Sequence, residues 1–181
     1  MSYYNRKNYS KDQDDNVQDS KKEAKPEASA HNRALALLNR RAYSEGELYD
    51  KLVSLGEPEE SAAECVAWAK SLGFADDLEY ARGIARSYTR RGYGAGRVRN
   101  ELYRRKVPRE LWDEAMPAEE TDSGAPEGAV ELLRKRLRGE TPDYAEKQKA
   151  VAALARRGFS WSEISAAFGA YLEELSVDND S

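Results

Sequence analysis

Apolar residues recur along the chain at separations of three, four and seven positions, and strict alternation is absent. Leu35 with Leu38, Leu48 with Leu52 and Leu55, and Ala62 with Val66 and Ala69 each predict one buried face of a helix. Ala81, Ala85 and Tyr88 continue the series, as do Val98 with Leu102 and Trp112 with Ala115 and Met116. Later come Val130, Leu133 and Leu137, Ala150 with Leu154, and a stripe of Trp161, Ile164, Phe168, Leu172 and Leu175. The pattern predicts nine helices and no strand.

Start signals agree with this reading. Ser44 with Glu47 and Ser160 with Glu163 have capping-box spacing, and Asp76 with Glu79 is the acidic equivalent. Pro58, Pro108 and Pro142 are expected at first helical positions, where the missing N–H costs nothing.

Shifting the chain by about fifty residues reveals a repeat. RRAYSEGELYDKL (40–52) lies over RRGYGAGRVRNEL (90–102), which pairs Tyr43 with Tyr93, Leu48 with Val98 and Leu52 with Leu102. Downstream, Pro58 falls on Pro108, Ala62 on Trp112 and Cys65 on Ala115. A fainter third copy sets Arg157-Gly158-Phe159-Ser160 over Arg105-Lys106-Val107-Pro108. The expected architecture is all-α: three tandem three-helix, helix-turn-helix-like repeats in an elongated or curved array. Units are expected at 31–73, 74–116 and 127–175, with an acidic linker at 117–126. Residues 1–30 are nearly free of aliphatic side chains and are expected to form a disordered tail, as is the end at 176–181.

Composition narrows the function classes. Ala, Leu, Glu and Arg dominate, which favours helix. The single cysteine, Cys65, cannot form an internal disulfide, and its apolar helical face argues for burial. No leader-like h-region or long apolar run occurs, so a cytoplasmic protein is expected. His31 is isolated at the tail's edge and reads as an exposed helix-start residue. Asp76 and Asp77 read as capping groups rather than paired catalytic carboxylates. Gly92, Gly94 and Gly96 lack the preceding strand and following Lys of a phosphate loop, and read as a flexible turn. No enzyme, cofactor or metal site is expected.

Charge is the informative feature. Although the formal net charge is −4, ten basic residues stand between positions 82 and 109 against one acid, Glu101. They are Arg82, Arg86, Arg90, Arg91, Arg97, Arg99, Arg104, Arg105, Lys106 and Arg109. Arg82, Arg86 and Arg90 share one helix ridge, where each like-charge pair costs about 0.2–0.5 kcal/mol. Local folding gains nothing from this, and the guanidinium fork suits carboxylate and phosphate, so an anionic macromolecular partner is expected. Tyr93 joins the candidate face as a stacking or packing group. Compensating acid lies in Glu110 to Glu127 and from Glu173 onwards.

These residues also carry a family resemblance. The run ALALLNRRAYSEGELYDKL (34–52), Gly73-Phe74-Ala75-Asp76-Asp77, Tyr80-Ala81-Arg82, Arg91-Gly92, Glu101-Leu102 and Arg157-Gly158-Phe159-Ser160 occur in order and at fitting spacing. Over roughly residues 32–170 the chain resembles the RecX family of RecA regulators. Ala75 stands where that family usually has a larger aliphatic residue, and Lys106 where it generally has glycine. The resemblance implies three tandem three-helix repeats and a monomer that binds in the groove of the RecA–single-stranded-DNA filament. It further implies inhibition of filament extension, ATP hydrolysis, strand exchange and SOS co-protease activity, and is compatible with weak direct DNA binding. A different reading is a stand-alone helix-turn-helix DNA-binding protein in which helix 97–106 enters the groove.

Overall fold

The computed structural model describes residues 26–116 and 125–179, and among them only helices and turns occur. The first unit comprises α1 (Pro26–Leu38), α2 (Glu45–Ser54) and α3 (Glu59–Ser71). The second comprises α4 (Asp77–Arg90), α5 (Ala95–Arg104), the 3₁₀ turn Arg109–Leu111 and the short α6 (Trp112–Ala115). The third comprises α7 (Glu127–Leu137), α8 (Tyr144–Arg156) and α9 (Trp161–Asn179). Helix α1 starts inside the expected tail, because burial of Ala30 and Ala34 extends the apolar stripe one turn back from Leu37. Helix α9 likewise runs through Leu175 into the stretch expected to fray. The rest of the expected tail and most of the acidic linker lie outside the described residues.

Each unit buries its own small core, as the repeat predicts. Leu48, Leu52, Ala62, Cys65 and Ala69 pack in the first, and Ala81, Ala85, Val98, Leu102 and Ala115 in the second. The third is larger, with Leu133, Leu154, Ile164, Phe168 and Tyr171. Burial pushes the Cys65 thiol up and keeps it protonated. His31 lies within α1 rather than at its start, with its ring 4.4 Å from that of Trp68 in an edge arrangement. Pro58 and Pro108 occupy the cap position, one residue earlier than expected.

The caps reveal a division of labour. Ser160 and Glu163 form the reciprocal box, and Asp143 with Glu146 forms another at the head of α8. Ser44 accepts from the Glu47 N–H, but the Glu47 carboxylate is diverted to Arg41, Tyr80 and Arg105. Asp76 caps α4, whereas Asp77 is buried and accepts from the Glu45 N–H at 2.8 Å, one unit away.

Those diverted groups build a joint between units, and the joint repeats. The turn that ends the second helix of each unit contains a residue with positive φ: Gly56 (91°), Lys106 (56°) and Gly158 (88°). In the first joint the Lys106 turn meets the head of α2, where Ser44 Oγ donates to the Arg105 carbonyl and Lys106 pairs with Asp50. In the second the Gly158 turn meets the head of α5. There the Gly94 N–H donates to the Arg157 carbonyl at 2.9 Å and the Gly96 N–H to the Gly158 carbonyl at 3.0 Å. A β-carbon on Gly94 would lie 2.6 Å from the Gly158 oxygen. Gly94 and Gly96 are therefore a docking surface that requires the absence of side chains, not a flexible turn. At the outer face of the first unit, the Arg33 guanidinium donates to the Leu55 carbonyl and to Glu57.

Beside the first joint lies a half-buried network of charges. Arg105 donates to Glu101 at 2.8 Å, to Glu47 at 3.2 Å and to the Tyr80 hydroxyl at 3.2 Å, while Tyr80 donates to Glu47 at 2.7 Å. The hydrogen bond from Arg104, against the opposing effect of burial and with help from Arg105, holds the Glu101 carboxyl down at about 2. Burial, reinforced by the bond to Glu47, pushes the Tyr80 phenol up to about 12.

Two stability predictions follow from these contacts. Gly94→Ala should cost about 1–3 kcal/mol through overpacking at the joint. Gly83→Ala, in mid-helix with open space beside it, should gain up to ~1 kcal/mol. Urea unfolding monitored by helical circular dichroism checks both. Since Glu101 titrates lower in the folded chain than its ordinary 4.5, its contribution is full above that value and is lost as pH falls towards about 2. Glu101→Gln should lower stability at pH 7 and flatten the fall between those pH values, as read from denaturation midpoints across the acid range.

Candidate macromolecule-binding surface

The eleven residues expected on the binding face divide by their partners. Arg82 pairs with Glu79 at 2.7 Å and Glu114 at 3.0 Å, and Arg99 with Asp113 at 3.5 Å. Arg104 pairs with Glu101 at 2.6 Å, Lys106 with Asp50, and Arg105 belongs to the half-buried network with its side chain only 28% exposed. Five of the ten cations therefore have acidic partners, although only one acid stands among them in the sequence. Apart from Glu101, the one acid within the 82–109 run, these acids come from the preceding unit, from the start of α4 or from α6. Burial works against ionisation of Glu47, yet its carboxyl is held below the usual range by bonds from Arg41 and Tyr80 and by the charge of Arg105. Arg105 is thus a structural cation.

The remaining residues have no carboxylate partner among the described residues. Arg86 and Arg90 extend from α4, Arg91 follows it, Arg97 lies on α5 and Arg109 precedes α6. The Arg91 guanidinium lies 5.3 Å from the ring centres of both Tyr88 and Tyr93, and Arg109 lies 5.5 Å from Trp112. Tyr93 is half-buried, tilted against Tyr88 at 5.3 Å, and is a packing group more than a free stacking platform. Such guanidinium–ring contacts orient a charge without neutralising it.

Folding adds cations that were not singled out in the sequence. Arg157, on the turn after α8, donates to the Gly92 carbonyl at 3.1 Å and to the Arg91 carbonyl at 3.3 Å, and sits 5.4 Å from the Tyr93 ring. Lys135 and Arg136 on α7 and Arg156 on α8 approach the same place. Together with Arg90 and Arg91 they line an open cleft of about 670 Å³ between the second and third units. Their positions 45–67 residues downstream of Arg90, in a unit balanced by its own acids, hid them from a count along the chain.

No group of three or more His, Cys, Asp or Glu side chains among the described residues could hold a metal ion. None of the described helices is long and apolar enough to cross a membrane.

Comparison with known proteins agrees with the repeat. Family models described as the first, second and third three-helix domains of RecX match residues 30–68, 76–116 and 127–168. The regulatory protein RecX of Stenotrophomonas maltophilia R551-3 is 40% identical over 134 residues, which cover 73% of this chain and 80% of that protein. That of Vibrio campbellii is 34% identical over 145 residues, covering 77% and 90%. A crystal structure of regulatory protein RecX superposes with a TM-score of 0.66 at 25% identity, covering 77% of this chain and 70% of that one. The RecX crystal structure from Lactobacillus salivarius shares the fold, with a TM-score of 0.72 at 22% identity over 81% and 96% of the two chains. Three matched domains in the right order and relatives at this identity make the chain a member of the RecX family of regulatory proteins.

Proposed function

We propose that this protein is a negative regulator of the RecA recombinase, acting as a monomer in the groove of the RecA–single-stranded-DNA filament. In that place it limits filament extension, ATP hydrolysis, strand exchange and SOS co-protease activity. The observation that carries the reading is the set of cations left without carboxylates, Arg86, Arg90, Arg91, Arg97 and Arg109, on a chain whose relatives are regulatory RecX proteins. A groove that exposes acidic protein surface and phosphate together rewards such a face, since arginine forks serve both. The array of stacked units presents an extended surface, as a long groove requires.

The stand-alone reader of duplex DNA receives less support. A recognition helix leads with its N-terminal residues, and the head of α5 is covered by the Arg157-Gly158 turn. At its other end Arg104 and Arg105 are tied to Glu101.

Added at stoichiometric concentration, the protein should suppress single-stranded-DNA-dependent ATP hydrolysis and strand exchange by its cognate recombinase; unchanged rates overturn the reading. The double substitution Arg90→Glu, Arg91→Glu should raise the concentration needed for half-inhibition about tenfold, equivalent to ~1.4 kcal/mol, with helicity unchanged. By contrast, Arg105→Glu should lower the unfolding midpoint, because it reverses the central charge of the half-buried network.

A further inference from the structure

Large apolar side chains that face solvent are scattered over the second and third units, but in the first they gather. Leu72 caps the end of α3 and Phe74 follows it, each 52% exposed, and Trp68 one turn earlier is half-buried. The Trp68 ring lies 6.2 Å from that of Phe74 and meets His31 of α1 edge-on at 4.4 Å. Leu72 and Phe74 belong neither to the core of the unit nor to its joint with the second. Contiguous apolar surface of this kind marks a contact.

The ridge of α3 that carries Trp68 is acidic. Glu60, Glu64 and Trp68 follow one another at a spacing of four and so stand on one face. Glu60 lies in the first turn, where the helix dipole favours it, but Glu64 lies a turn further on, and a like-charge pair at that spacing costs the helix about 0.2–0.5 kcal/mol. Both are exposed, and neither has a cationic partner among the described residues. A segment that fits this face carries aromatic and basic side chains together and no acid.

The chain itself contains such a segment. Residues 1–11, MSYYNRKNYSK, hold Tyr3, Tyr4 and Tyr9 with Arg6, Lys7 and Lys11 and no carboxylate. They lie outside the described residues, and residues 12–25 connect them to Pro26 at the start of α1. His31 is only five residues further along the same helix, so a rise of 1.5 Å per residue puts the end of the tether about 7.5 Å along the axis from the ring that meets Trp68. Tethering supplies an effective concentration on the order of millimolar, so weak ring–ring and cation–carboxylate contacts suffice.

We propose that residues 1–11 dock on the face formed by Trp68, Leu72 and Phe74 of their own chain, with the tyrosines against the rings and Arg6, Lys7 and Lys11 towards Glu60 and Glu64. A segment of another molecule has the same chemistry to offer but lacks the tether. The assignment uses no residue of the basic surface and nothing of the recombinase, so it and the regulation of RecA stand or fall separately.

The single histidine of the chain makes the test specific. Because the His31 ring packs on Trp68, its imidazole resonances report on this face, and they are recorded by NMR at fixed pH for the untagged full-length protein. Replacing Tyr3, Tyr4 and Tyr9 together by serine should move them. A peptide of residues 1–11 added to that full-length variant should return them, saturably, to their position in the unaltered protein. Glu60→Lys with Glu64→Lys in the same variant should weaken the peptide about tenfold, equivalent to ~1.4 kcal/mol, with helical circular dichroism unchanged. The proposal is overturned if the tyrosine substitutions leave His31 unmoved, if a peptide with its three tyrosines replaced by serine is as effective, or if the Glu60 and Glu64 variant keeps the full affinity. Resonances of the unaltered protein that change on dilution overturn it too, since a second copy then covers the face.

Discussion

Opposite ends of helices meet at each joint, and the array depends on that meeting. An α-helix leaves N–H groups unsatisfied at its head and carbonyls unsatisfied at its end, with a matching dipole. At the second joint the two deficits cancel directly, as Gly94 and Gly96 N–H groups take the carbonyls of Arg157 and Gly158. The first joint solves the same problem with side chains, through Ser44 on the Arg105 carbonyl and Asp77 on the Glu45 N–H. Each unit's core is small, built largely from alanine, leucine and valine in the first two, and a core of that size gives little stability alone. Docking of neighbours is thereby part of folding, as in other linear repeats.

The two joints differ in what they tolerate. The second has glycines on both sides, and its closeness follows from the absence of side chains at Gly94 and Gly158. In the first, Lys106 takes the turn with φ of 56° although a left-handed conformation costs a residue with a β-carbon ~1–2 kcal/mol. Its ammonium pairs with Asp50 across the joint, partly offsetting that cost. This gives a physical meaning to lysine at a position where the resemblance led to an expectation of glycine. The ion network of Glu101, Arg105, Glu47 and Tyr80 belongs to the same joint and ties the first two units together.

Helix spacing and the fifty-residue repeat carried most of the architecture, because both arise from local periodicity that a linear reading can detect. Cys65 was legible for the same reason. Glu47 was not: its spacing from Ser44 suggested a capping box, and only the fold reveals that Arg105 and Tyr80 compete for its carboxylate. The glycines at 92, 94 and 96 were visible but misread, since a tight backbone approach and a loose turn leave the same trace in sequence. The basic face was legible in part. Counting charges along 82–109 found the excess, but pairing is three-dimensional: it removed Arg105 from the face and brought Arg156 and Arg157 to it.

A joint made by docking one unit's tail on the preceding unit's head is heterologous, and nothing in its geometry limits it to two occurrences. The same head and tail exist at the two outer faces, in the capped start of α8 and in the Gly56 turn. Both are closed from within: the Asp143–Glu146 box satisfies the head, and Arg33 covers the Leu55 carbonyl that would serve as the tail. Heterologous contacts that do not close generate fibres. Two side-chain caps therefore satisfy, at the outer faces, backbone groups of the kind that contacts between units satisfy inside the array.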